Sequence, residues 1–256
     1  MGECFLVKPG GALAAGIPEF TYSGDYVFTD EGDKNWRLKL LTSGTLKFKK
    51  LRSSVDVFLV GGGASGYNGG GGGGGYTLTQ KSLMVDASVD HQIVIGAGGT
   101  DSDGSATSAF KLTALGGSKC PNNNVGGSGG SGGGGSGAYD NRAVHGGAGG
   151  SDGGDGNKGY HNGGSGQGST TREFGEESGT LYAGGGGGGG VGNLSEGGAG
   201  GEGGGAAGGP CDDPGKSAEP NTGGGGGAGG SIASAPGWRA NGSGGSGIVV
   251  IRNARG

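Results

Sequence analysis

Eight side chains are the ones best suited to recognition chemistry: Tyr139, Arg142, His145, Tyr160, His161, Phe174, Trp238 and Arg239. Tyr, Trp and Arg are the types that dominate binding hot spots. Rigid aromatic faces stack on sugar rings, while neighbouring Asn and Asp side chains hydrogen-bond hydroxyls. These residues fall in segments that interrupt a glycine-rich sequence: AYDNRAVH (138–145), NKGYHN (157–162), STTREFGEES (169–178) and ASAPGWRAN (233–241). The competing reading for Phe174 and Trp238 is that they cap glycine segments and shield them from water. The strongly polar surroundings of Tyr139, Tyr160 and His161 favour ligand contact, whereas solvation alone accounts equally well for Arg142, His145 and Arg239.

Other chemistry is poorly supported. Asp152, Asp155, Asp212 and Asp213 suggest calcium, which takes six to eight hard oxygen ligands. The SDGGDGNKG texture occurs only once, however, so a solvated turn is preferred and neither metal nor cofactor is expected. GGPCDDPGKS ends like a phosphate-binding loop, but Pro210 stands where its first glycine is required. A catalytic centre needs a nucleophile beside a base or paired carboxylates in a cleft. His91 lies in an apparent strand, and His145 and His161 have no Ser or Cys partner that spacing identifies. The chain therefore reads as a non-enzyme. Cys4, Cys120 and Cys211 lack metal-type spacing, and their odd count leaves at least one outside an intramolecular pair.

The elements that must position these loops are unusual. Of 78 glycines in 256 residues, seven fall in residues 1–60 and 71 in residues 61–256. Only 30% of residues are hydrophobic, too few to fill a conventional core throughout. Such composition ordinarily signals disorder. The alternative is extended helices of the polyproline II type, which without Cβ atoms approach closely enough to pair N–H with C=O and to add Cα–H···O contacts. A net charge of −4, with Lys and Arg forming no block beyond 47–52, argues against a phosphate-neutralising nucleic-acid groove. The apolar runs are too short for a membrane-spanning helix. The start MGECFLVKPGGALAAG lacks a long apolar h-region and carries Glu3, unlike a signal peptide.

Residues 1–18 read as a lead-in, 19–60 as a β-rich attachment unit, and 61–256 as a glycine-rich domain with interspersed strands. In the β-rich unit, Trp36, Leu38 and Leu40, then Leu46 and Phe48, alternate with period two, and Ser43-Gly44 between them suits a hairpin turn. VDVFLV (55–60) is apolar on both faces, which predicts cover on both. Further strands are expected at 76–78, 92–95 and, closing the chain, 247–252. A Val/Ile-rich terminal strand after a long glycine passage must return to an earlier partner, either 55–60 or 91–95. That return favours a folded glycine region over disorder.

VDVFLVGGG near the beginning, IVIGAGG and TLYAGGGGGGG within, and GGSGIVVIR at the end resemble the glycine-rich domain proteins of bacteriophages and prophages over residues 20–256. The resemblance implies a sandwich of packed polyglycine II helices, following the β-rich N-terminal unit and closed by the C-terminal strand. It also implies a virion tip or fibre protein, exposed on the particle, whose loops at the rod ends contact a bacterial surface glycan or outer protein. The N-terminal region would hold a neighbouring virion protein, with no nucleic acid and no membrane insertion. A purely structural cap, spike or capsid fibre is the alternative.

Overall fold

The computed structural model describes residues 17–51, 54–121, 124–138, 143–150, 154–160, 172–192, 195–231 and 237–255. Within them the regular structure is almost wholly β, and the one helical element is a 3-10 turn, Glu173–Gly175. Ten strands are assigned: β1 Glu19–Tyr22, β2 Tyr26–Gly32, β3 Asn35–Leu40, β4 Gly44–Lys50, β5 Val55–Val60, β6 Thr77–Leu83, β7 His91–Ile93, β8 Thr107–Ala109, β9 Leu112–Ala114 and β10 Ile248–Asn253. They form a five-stranded sheet, β2-β3-β10-β5-β6, a three-stranded sheet, β1-β4-β7, and a β8-β9 hairpin.

Alternation sets the core. Trp36, Leu38 and Leu40 of β3, Val55, Val57 and Leu59 of β5, and Val249 and Ile251 of β10 meet Leu46 and Phe48 of β4 and Ile93 of β7 in one buried cluster. The returning terminal strand lies between β5 and β3, antiparallel to both, with Ile251 opposite Val57 and Leu38. β7 instead pairs with β4. The five-stranded sheet therefore joins strands from both sides of residue 60. As expected, all of 55–60 is buried.

The hairpin expected at Ser43-Gly44 is absent. β3 and β4 belong to different sheets, because Leu38 and Leu40 face Leu46 and Phe48 across the core rather than lying beside them in one sheet. The tight turn is at Asp33 and Lys34, both in the left-handed region (φ 49° and 68°), and joins β2 to β3.

The glycine segments bond in a manner no sheet allows, since a strand in a sheet has at most two hydrogen-bonded neighbours. The run 184–190 has five. Gly184, Gly187 and Gly190 donate to the carbonyls of Gly203, Ala206 and Gly209 at 3.2, 2.8 and 3.0 Å. Gly186 and Gly189 donate to Gly72 and Gly69 at 2.8 Å each. The carbonyls of Gly184, Gly187 and Gly190 accept from Gly225, Ala228 and Ser231, those of Gly186 and Gly189 from Gly134 and Gly137, and those of Gly185 and Gly188 from Gly201 and Gly198. Each neighbour recurs at every third residue. The spacing leaves no room for side chains: a Cβ on Gly186 would lie 2.1 Å from the Gly226 carbonyl oxygen, and one on Gly188 2.0 Å from that of Gly135. In this half of the molecule the core is backbone packed on backbone.

Candidate functional site

The glycine segments run to and from the sheets, so their turns collect at two ends. At the sheet end, Gly61 donates to Tyr76 and Tyr76 to Leu115 (2.9 Å each), and Gly247 donates to Gly96 (2.8 Å), beside the ends of β5, β6 and β10. At the far end, Gly189 donates to Gly69, Gly137 to Gly189, Ala138 to Tyr160, Ser231 to Gly190, Gly230 to Asp213 and Arg239 to Gly230. This chain of bonds draws the turns near residues 69, 138, 160, 190, 213 and 231 into one end of the molecule.

Four of the expected recognition residues stand there. Tyr160 is 50% exposed, His145 is exposed, and Trp238 and Arg239 are half-buried. His145 joins this end through its carbonyl, which accepts from Gly126 (3.1 Å), while its neighbour Val144 is bridged to Gly159 beside Tyr160. The Trp238 ring rests on Gly69, where a Cβ would come within 2.3 Å of its Cη2 atom. Arg239 is paired with Asp212, so it is oriented as well as solvated. Sequence reasoning missed Tyr67 and Lys119: the Lys119 ammonium sits 4.3 Å above the Tyr67 ring and also donates to the Asp101 carbonyl at 3.2 Å. Tyr139, Arg142 and His161 lie outside the described residues.

Phe174 is different. It is only 2% exposed and lies against the five-stranded sheet, its ring 5.9 Å from that of Phe58 and under the Arg252 guanidinium at 3.9 Å. This buried position on the sheet is neither the ligand-contacting loop nor the glycine-segment cap that the sequence suggested for it. Around it lies a charged cluster that the sequence reading did not single out. Cross-strand register sets Arg37, Arg252 and Asp56 in one row over β3, β10 and β5. Arg252 Nε donates to Asp56 Oδ2 at 3.2 Å, and its Nη2 lies 2.6 Å from Glu176 Oε1. Arg252 holds the Glu176 carboxyl below its ordinary pKa, chiefly through that hydrogen bond. Glu173, 1% exposed, pairs with Arg37, lies 3.7 Å from Lys39 Nζ and accepts from the Tyr182 hydroxyl at 3.2 Å. Burial, then the Glu173 charge, push the Tyr182 phenol upward. A signal was present: VDVFLV and IVVIRN each carry one charge in a mostly apolar strand, and the two charges are of opposite sign.

Among the described residues no group of His, Cys, Asp and Glu has the arrangement to hold a metal ion, and no helix is long and apolar enough to cross a membrane. No disulfide joins Cys120 to Cys211.

Two sheets over a shared core, continued by side-chain-free backbone packing, define a glycine-rich β protein. The chain matches the glycine-rich domain family over residues 41–254 and belongs to it. No curated protein and no solved structure matches it.

Proposed function

We propose that the glycine segments are polyglycine II helices packed as a sandwich, and that the protein is an attachment protein on the tip or fibre of a bacteriophage or prophage particle. The recurrence of partners at every third residue supports the first part, because a polyproline II-type helix has three residues per turn and directs its backbone groups outward. The observation that carries the second is the gathering of Tyr160, His145, Trp238 and Arg239, with Tyr67 and Lys119, at the end away from the sheets. A backbone-packed stack offers a rigid support, so the contacting side chains lose little further freedom on binding. The ligand is a bacterial surface glycan or outer protein, and the reading is non-catalytic.

A structural virion part without receptor binding is the second reading. The outer strand β2 favours it, since Tyr26 and Val27 are 46% and 49% exposed and suit docking to a neighbouring virion protein. Binding of the purified chain to a panel of bacterial cells separates the two. Attachment predicts saturable binding, reduced at least about tenfold when Tyr160 and Trp238 are both replaced by Ala, as expected for two hot-spot residues. No binding to any cell type, together with capture of a particle protein through residues 19–60, would establish the structural reading.

A further inference from the structure

We infer that the hairpin Arg172–Leu181 is an acid-released clip, held over the outer face of the five-stranded sheet by charge and opened without unfolding the sheet beneath it. The hairpin is closed on itself: Arg172 is bridged to Leu181, Glu173 N–H donates to the Thr180 carbonyl at 2.9 Å, and Gly179 N–H to that of Glu176 at 2.8 Å. It can therefore leave the sheet as a unit. Beneath it and the adjoining Tyr182 and Ala183 lies an apolar stripe of Phe58, Val60, Ile248 and Val250.

One feature opposes seating. Phe174 has φ 58°, a left-handed conformation that costs any residue bearing a Cβ. It is buried, so packing and charge must hold it. The charges are nearly all on the sheet side or on two glutamates of the clip. Glu173 meets Arg37 and Lys39 of β3, and Glu176 meets Arg252 of β10. Arg37 is shared with Glu31 of β2, which also pairs with Arg255. Arg252 is shared with Asp56 of β5, and its Nη1 has no hydrogen-bond partner among the described residues. The clip's own Arg172 donates to Gly179 within the hairpin, while Glu177 of the clip and Lys81 of β6 are exposed.

Protonation of Glu176 removes the anion that ties the clip to Arg252 of β10. For Glu176 the sign is fixed: its pKa is lowered in the seated state, so its contribution is complete above the ordinary carboxylate pKa and is lost as pH falls through the lowered value. Asp56 stays with Arg252 on the sheet, so release leaves the sheet's own ion pair in place.

Amide hydrogen exchange on the full chain, corrected for intrinsic pH dependence, tests this. A lone two-stranded hairpin is marginal in water once off the sheet, so protection at Glu173, Glu176 and Gly179 is expected to fall at least about tenfold between about pH 6 and pH 3, while β5 and β10 amides stay protected. Glu176→Gln should lower clip protection already at pH 6, and Glu177→Gln should leave the transition unmoved. Loss of protection in clip and sheet together, or an unchanged clip down to pH 3, overturns the proposal.

Discussion

Arg252 and Asp56 face each other in the register of β10 and β5, 3.2 Å apart and both sealed from solvent. One belongs to the last strand of the chain and the other to a strand 196 residues earlier. Their meeting is possible only once the C-terminal strand has entered between β3 and β5. The pair thus links closure of the sheet to the far end of the sequence.

Removing Arg252 strands the Asp56 carboxylate in the interior, so Arg252→Met should destabilise by about 3–5 kcal/mol, and Asp56→Leu, which leaves Arg252 with Glu176, by less. Replacing both together, Asp56→Leu with Arg252→Met, should recover much of that loss, because desolvation of the pair no longer has to be offset. Guanidinium denaturation of the three variants measures the coupling. Additive losses would mean that Arg252 acts through Glu176 and Phe174 alone.

Glycines of the stack and glycines of the turns should differ in how much the smallest substitution costs. Gly186→Ala places a Cβ 2.1 Å from a backbone oxygen that has no flexible side chain to yield, and should cost at least about 3 kcal/mol or prevent folding. At Gly32 nothing lies within 4 Å of the added Cβ, and only the positive φ of 79° opposes it. Gly32→Ala should cost about 1 kcal/mol. Thermal melts of the two variants provide the comparison.

Much of the sheet half was legible because period two is a strong signal where one face is buried. Val57, Leu59, Val249 and Ile251 declared their strands, and the terminal strand's need for a partner predicted its return. The turn at Asp33-Lys34 was not, since Asp33 suits a positive φ but Lys34 stands where a glycine is usual. β8 and β9, three residues each, are too short to show a period. Phe174 was read as a cap or a contact at a rod end, and its place on the sheet was not legible for a different reason. Its neighbours are polar and charged, yet Glu173 and Glu176 are the groups that bring it to the sheet, because their counter-ions Arg37 and Arg252 stand there. Such a contact is set by three-dimensional register and leaves no local pattern. Of the loop residues, Tyr160, His145, Trp238 and Arg239 were recognisable by type; that they share one end required the up-and-down course of the glycine segments.

Two tyrosines should resist ionisation. Burial, and then the charge of Asp25, push the Tyr22 phenol up to about 12, and Tyr182 lies higher still through burial and Glu173. Both folded pKa values are raised, so the associated stability is complete below about pH 10 and is lost as pH rises through the folded values. Absorbance at 295 nm should show these phenols still protonated at pH 11, with Tyr22→Phe and Tyr182→Phe each deleting one late step. A single transition near pH 10 for every tyrosine would contradict their environments.

The two tryptophans offer a direct report on the far end. Trp36 is 1% exposed in the sheet core, while Trp238 is half-buried on Gly69 beside the Arg239–Asp212 pair. Iodide should therefore quench one component of the fluorescence and spare the other, and Trp238→Phe should abolish the quenchable one. A ligand that seats on this end covers the indole or shifts its polar neighbours. If the attachment reading holds, soluble surface glycan or outer-membrane extract from a bacterium that the protein binds should protect Trp238 from iodide in a saturable way and leave Trp36 unchanged. Cell binding without that protection would move the contact to Tyr160 and His145, which a Tyr160→Ala, His145→Ala variant would show by losing it.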